Sequence, residues 1–241
     1  MTHKVITCCT HKPTAPYYFL DSFLKSLKGH EPLILDQRFG RWGGLATKTK
    51  WLRMALKDNM IKEDILIICD CYDFVFAGQI EELVEAFKTY NSPCVISSEK
   101  NYWPDEGLKP DFDKHNFPTS FKYINSGLVV SEKDALIAIL ESMDLDNYPD
   151  DHQKPDGNMF HSNDQFLYQR EFVRHPDLIQ VDYKCKISQT LSELTVDDFE
   201  FLANGKIKNK ETGETPCSFH ANGGSKTSGI VPPILNHLGL N

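Results

Sequence analysis

Apolar positions along this chain alternate between short continuous runs and stretches of helical spacing. Val5 to Cys8 predicts a first strand, closed by a loop at His11-Lys12-Pro13. Tyr18, Phe19, Phe23, Leu24 and Leu27 recur at helical spacing, and Pro32 to Leu35 predicts a second strand. Phe39 to Gly44 is a glycine-rich loop, and Lys48 to Leu56 returns to helical periodicity. Ile65 to Cys69 is apolar without interruption, as a central parallel strand covered on both faces must be. It breaks off at Asp70-Cys71-Tyr72-Asp73, after which Ile80, Leu83, Val84 and Phe87 mark one face of a helix. Val95 to Ser97 and Gly127 to Val130 predict two more strands, and strands alternating with helices predict an α/β sheet. Asn147 to Ser162 is rich in Asp, Pro, His and Gly and reads as a mobile loop of the kind that forms a lid. Beyond Leu178 the strands shorten, with turn chemistry at Asn204-Gly205 and Thr212-Gly213. No linker divides the chain, so residues 1–241 are expected to form one domain.

Composition narrows the class. At 241 residues with 40% hydrophobic content, the chain can bury a sizeable core. The net charge of −8 argues against a general nucleic-acid binder, although a local basic groove would still permit one. Seven cysteines, several inside apolar runs and none in a C-x-x-C pair, predict buried thiols in a reducing compartment rather than a zinc ribbon. No signal peptide and no membrane-spanning run is visible, so a cytoplasmic protein with no membrane partner is expected.

Four segments carry candidate chemistry. In open α/β sheets ligands bind at the carboxyl ends of strands, where Asp70 and Asp73 stand three residues apart around a turn. Two such carboxylates can converge on a hard cation, which a nucleotide diphosphate needs as its charge builds, or they can simply cap a helix. Ser218 to Lys226 places His220 ahead of Asn222, Gly223 and Gly224: a neutral imidazole can complete a carboxylate metal site, and glycine N–H groups with Lys226 can meet phosphate. It is not a Walker A loop. Asp164, in Asn163-Asp164-Gln165, is placed as a helix N-cap or first-turn acid, either structural or facing an acceptor hydroxyl or sugar. Lys48 and Lys50 read as solvated helix lysines, and Trp42, Trp51, Tyr72 and Trp103 as core candidates unless exposed for stacking.

Seven pieces in register then carry a resemblance: GGLATKTKWLRMAL, DILIICDCYDFVFAGQIEELVEAF, CVISSEKNYWPDEGL, KYINSGLVVS, SNDQFLYQREF, VDYKCKISQTL and SFHANGGSK. Together they resemble the glycosyltransferase domain of the procollagen lysyl hydroxylase and glycosyltransferase family, which large viruses also carry. The resemblance implies a GT-A fold, a Rossmann-like mixed sheet flanked by helices, using Mn²⁺ and a UDP-sugar donor. The ligand chemistry by itself would also accept Mg²⁺. It further implies a donor-binding half of about residues 1–100 and an acceptor- and metal-closing half of about 101–241. Asp70, Asp73 and His220 match the family's metal ligands, with Asp73 bridging metal and phosphate. Tyr72 matches the residue against the uracil, and Lys48 or Lys50 a basic position near the uridine. Trp103 matches a tryptophan near sugar and acceptor. Asn222, Gly223 and Lys226 match the donor loop, and Asp164 matches the last acid of a run facing the reacting sugar. Two departures stand out: the acidic run shrinks to Asn163-Asp164, and the family's HGNG becomes His220-Ala221-Asn222-Gly223.

The expected activity is therefore transfer of a hexose or pentose from a UDP-sugar to a hydroxyl. The acceptor is a protein hydroxylysine, a glycan or, in a phage-type alternative, a hydroxymethylated DNA base. Asp164 either deprotonates the acceptor or stabilises an oxocarbenium-like sugar. A non-catalytic nucleotide-sugar-binding module and a metal-dependent phosphohydrolase are the rival classes, the latter requiring a denser two-metal ligand set. If the source is a large virus, the expected location is the host cytoplasm.

Overall fold

The computed structural model describes residues 1–10, 19–104, 106–147 and 163–241. The loop at His11-Lys12-Pro13, the helical position of Tyr18 and residues 148–162 of the expected lid lie outside them.

A six-stranded sheet forms the centre, in the order β2 (Leu33–Leu35), β1 (His3–Cys8), β3 (Ile65–Cys69), β6 (Tyr123–Glu132), β5 (Cys94–Glu99) and β7 (Ile179–Val181). β1 pairs in parallel with β2 and β3, whereas β6 runs antiparallel to both β3 and β5. The central strand β3 is thus parallel on one edge only, because a strand from the later part of the chain is inserted beside it. Its run is apolar because both faces are covered, whatever the direction of its neighbours. Ile65 and Ile67 pack with Phe23 of α1 (Leu20–Ser26) and with Leu83 and Phe87 of α3 (Ile80–Lys88). Leu66 and Ile68, pointing the other way, pack with Leu52 of α2 (Thr47–Lys57), Leu136 of α5 (Lys133–Ser142) and Leu167 of α6 (Asp164–Arg174). One short helix, α4 (Lys109–Asp113), brings Phe112 under the same layer.

Several strands run longer than the apolar pattern predicts, two of them along the cleft. β5 continues through Ser98 to Glu99, and β6 begins at Tyr123, well before Gly127. The added positions Ser98, Glu99, Asn125 and Ser126 are polar yet buried. They interrupt the hydrophobic signal because they face a cleft or a hydrogen-bond partner rather than the core.

A second, smaller layer closes that cleft. β11 (Ser218–His220) lies between β4 (Phe74–Phe76) and β8 (Gln189–Thr190), antiparallel to the first and parallel to the second. The hairpin of β9 (Phe199–Phe201) and β10 (Ile207–Asn209) packs behind it, turning at the predicted Asn204-Gly205. The last helix, α7 (Val231–Leu238), carries prolines in its first turn and stops at a left-handed Gly239, φ 67°. Its Ile234 and Leu235 complete the third apolar cluster with Phe199 and Phe219.

None of the seven cysteines is in a disulfide, and five of them are buried. Among the described residues, no helix is long and apolar enough to cross a membrane.

Candidate active site

The carboxyl ends of β1 and β3 open into a cleft of about 800 Å³, a volume in the range of small-molecule sites. The turn after β3 holds Asp70 and Asp73 there. The backbone N–H of Asp70 donates to the Gly127 carbonyl at 3.1 Å, and the Asp73 carbonyl accepts from the Ala221 N–H at 2.7 Å. The second bond fixes the turn to the end of β11, so His220 arrives beside both acids. Its Nε2 lies 3.5 Å from Asp70 Oδ2 and 3.6 Å from Asp73 Oδ1.

Gly127 decides where that imidazole sits. A Cβ on Gly127 would stand 2.1 Å from His220 Nδ1, so only glycine admits the ring. Asn125 Oδ1 accepts from the Gly127 N–H at 3.0 Å and lies 2.9 Å from His220 Nδ1. If Nδ1 carries the proton, it donates to Asn125 and leaves the Nε2 lone pair facing the carboxylates, the tautomer a metal ligand needs.

The donor set suits a divalent cation. Ligand atoms from Asp70, Asp73 and His220 all lie within 4.8 Å of one another. Adjacent ligands around an octahedral ion at ~2.1 Å are separated by about 3 Å, so the two His220–carboxylate spacings need about half an ångström of closure to share one ion. Two carboxylates with one imidazole accept Mn²⁺ and related ions. The charges are already arranged around this point. Burial alone would raise the Asp73 carboxyl, but His220 and Lys226 outweigh it and hold it well below the usual range. Burial opposes a charged His220, and the carboxylates of Asp73 and Asp70 push it upward instead.

The loop after β11 behaves as one piece. Gly223, with φ +55°, turns the chain into a short 3-10 helix, Gly223–Thr227, that brings Lys226 Nζ to 2.6 Å from Asp73 Oδ2. Asn222 accepts from the N–H groups of Leu191 and Ser192 and donates to Glu99 Oε2 at 2.8 Å.

Lys48 departs from its expectation as a solvated helix lysine. It is 7% exposed, and its Nζ lies 2.8 Å from both Asp70 Oδ1 and Asp164 Oδ2 and 3.3 Å from the Ser126 carbonyl. Burial works against its charge, but the carboxylates of Asp164 and Asp70 prevail and hold the ammonium well above its ordinary pKa. Lys50 is not among the residues lining the cleft, and its charge acts on Asp146 instead. Two steps along a helix rotate a side chain by about 200°, so the two lysines cannot share a face.

Asp164 is the first residue of α6, and the cap is Asn163, whose side chain accepts from the Gln165 N–H at 2.8 Å. Asp164 is thereby free of the capping role and lines the cleft. Trp42 and Trp103 are not core residues: they are 37% and 44% exposed and stand on the cleft, while Trp51 is buried and meets Trp42 edge-on. The Trp103 carbonyl is pinned by the amides of Gln165 and Gln169 at 2.8 and 2.7 Å, which leaves its ring at the mouth. Tyr72 also lines the cleft, its hydroxyl accepting from the Thr10 N–H.

Sequence reasoning missed Glu99. It is buried in the cleft wall and accepts from Asn125, Gln165 and Asn222. Burial pushes its carboxyl up, against those amides and the nearby His220. A glutamate at the end of a buried strand, after the apolar Cys94-Val95-Ile96 and two serines, was the available signal.

Comparison with known proteins follows the same lines. Residues 36–239 match the family model described as PLOD GT domain. Procollagen-lysine,2-oxoglutarate 5-dioxygenase 2 of Mus musculus is 27% identical over 199 residues, covering 81% of this chain and 25% of its own length. The multifunctional procollagen lysine hydroxylase and glycosyltransferase LH3 of Homo sapiens is 27% identical over 200 residues, again 81% and 25%. The chain spans about a quarter of the length of these curated relatives. A solved structure, that of a glycosyltransferase involved in the glycosylation of the major capsid of PBCV-1, matches over 100% of both chains with a TM-score of 0.56 at 10% identity, a likeness of fold. The helix-flanked mixed sheet expected from sequence is the one found.

Proposed function

From the premise that the chain belongs to the PLOD glycosyltransferase-domain family, we propose that it moves a sugar from a UDP-sugar to an acceptor hydroxyl, with a divalent ion held by Asp70, Asp73 and His220. The observation that carries this reading is the convergence of those three ligands, with Lys226, inside one cleft whose wall also bears Asp164, Glu99 and Trp103.

The ion, Mn²⁺ by family resemblance and Mg²⁺ by ligand chemistry, supplies charge neutralisation for a departing diphosphate. Asp73, held by Lys226, keeps its carboxylate charged and oriented toward that end of the cleft. Lys226 and the turn at Gly223 supply positive charge and backbone N–H groups on the donor side. Tyr72 and the exposed face of Trp42 offer aromatic surfaces for the base, and Trp103 one for sugar or acceptor. Asp164, ion-paired with Lys48, acts as a fixed negative charge beside the reacting carbon. Its use as a general base would require Lys48 to leave it.

The cleft favours a hydroxyl-bearing acceptor without a phosphate backbone, such as a protein hydroxylysine or a glycan, over modified DNA. Among the described residues its charged lining consists of Asp70, Asp73, Glu99 and Asp164 against Lys48 and Lys226, both already paired with acids. DNA binding instead requires cations for the phosphate backbone. A single cluster of metal ligands in the cleft, among the described residues, also favours transfer over two-metal phosphohydrolysis. Seven cysteines without a disulfide fit a reducing compartment.

The test is a panel of UDP-sugars titrated with and without MnCl₂, read by calorimetry and by slow donor hydrolysis. One UDP-sugar should bind only with the metal, and Asp73→Asn should abolish that binding. Metal-independent binding, or unchanged binding in Asp73→Asn, would refute the assignment.

A further inference from the structure

At the opposite end of β1 from the cleft, three side chains from separate segments meet. His3 opens the strand, His30 lies in the turn between α1 and β2, and Glu81 is the second residue of α3. The two Nε2 atoms approach the same oxygen, Glu81 Oε1, at 3.8 Å from His3 and 3.5 Å from His30. The imidazoles are 5.6 Å apart and inclined by 43°, fanned around a common point rather than stacked. One ligand atom from each residue lies within 4.8 Å of the others.

Ligands about 2.0–2.1 Å from a tetrahedral ion stand roughly 3.4 Å from one another. The two histidine–glutamate spacings, 3.8 and 3.5 Å, need only a few tenths of an ångström of closure, and the two imidazole ligand atoms lie within 4.8 Å of each other. Two imidazoles with one carboxylate is a set for borderline transition ions, in contrast to the carboxylate-rich trio of the cleft. His3 is partly buried and fixed by its strand, so the least mobile ligand is already in place. The site is remote from the chemistry: β1 runs from His3 to Cys8, which lines the cleft, a separation of about 17 Å at ~3.3 Å per residue.

We propose that His3, His30 and Glu81 form a second cation site, selective for an ion of the Zn²⁺ class, with water in the fourth position. An ion there ties the first strand, the turn after α1 and the start of α3 together, and stabilises the fold without entering the transfer reaction.

The experiment uses the untagged full chain carrying Asp73→Asn and His220→Gln, which silences the cleft, titrated with ZnCl₂ and separately with MnCl₂. One equivalent of Zn²⁺ should bind and raise the thermal midpoint, and Mn²⁺ should bind at least ~10-fold more weakly. His30→Gln and Glu81→Gln, both partly exposed, should each weaken Zn²⁺ binding by at least ~10-fold with the far-ultraviolet spectrum unchanged. In the wild-type chain the imidazole ¹⁵N signals of His3 and His30 should shift together on Zn²⁺ addition, a readout that stands even if the cleft variant folds poorly. No Zn²⁺ bound outside the cleft, binding indifferent to both substitutions, or equal affinity for Mn²⁺ would overturn the proposal. The trio would then be a histidine–glutamate ion pair only.

Discussion

Gly127→Ala is the most local way to displace His220. The φ of Gly127 lies outside the left-handed region, so alanine introduces no backbone strain. Its Cβ would stand 2.1 Å from His220 Nδ1, 2.2 Å from Cε1 and 2.9 Å from Asn125 Oδ1. Heavy atoms rest at about 3.5 Å, so the ring must withdraw by more than ~1 Å. Metal sites tolerate about ±0.2 Å, so that movement removes His220 from the ligand set. It also breaks the 2.9 Å contact between Nδ1 and Asn125. Overpacking of this kind costs about 1–3 kcal/mol. The expected result is a folded protein with a lower urea midpoint and a loss of Mn²⁺ binding as large as that of His220→Ala. The cost of Gly127→Ala should shrink by about 1–2 kcal/mol in a His220→Ala background, because the ring is gone while the tight approach to Asn125 persists. Urea unfolding in metal-free buffer and calorimetry with MnCl₂ measure both. Wild-type Mn²⁺ affinity in Gly127→Ala, or strict additivity of the two substitutions, would refute the reasoning.

Lys48→Met should destabilise the protein by about 3–5 kcal/mol in urea, because it leaves the buried Asp164 carboxylate facing Asp70 without its ammonium. Adding Asp164→Asn should recover part of that loss, and no recovery would show that charge pairing is not what Lys48 contributes. Asp182, the residue after β7, holds the segment that leads into β8, its carboxylate accepting from the N–H groups of Lys186, Ile187 and Ser188 and from the Tyr90 hydroxyl. Asp182→Asn turns a donor toward those donors and should cost about 2–4 kcal/mol, with faster amide exchange in β8. A change below about 0.5 kcal/mol would mean that the loop is held by its packing alone.

The class of fold was legible in the residue pattern alone. An apolar-rich run at β1 and an uninterrupted one at β3, helical spacing in α2 and α3, and the break at Asp70-Cys71-Tyr72-Asp73 were enough to place two carboxylates at a strand's carboxyl end, because these are local signals. Order within the sheet was not local. Nothing near Ile65 says that β6 will run antiparallel beside it, and the polar Asn125-Ser126-Gly127 hid the first half of that strand. Family resemblance pointed to Lys48 or Lys50 and to Trp103, but the choice of Lys48, the exposure of Trp103 on the cleft and the part played by Glu99 belong to tertiary structure. A lysine in a helix is solvated by default, and only the packing of α2 against the starts of α6 and the β3 turn surrounds Lys48 with Asp70 and Asp164. Glu99 becomes part of the cleft only because β6, α6 and the loop after β11 each bring an amide to it. Residue type and spacing fix which atoms can bind a cation or a sugar. Which of them share one volume, and at what charge, is set by contacts between segments distant in the chain.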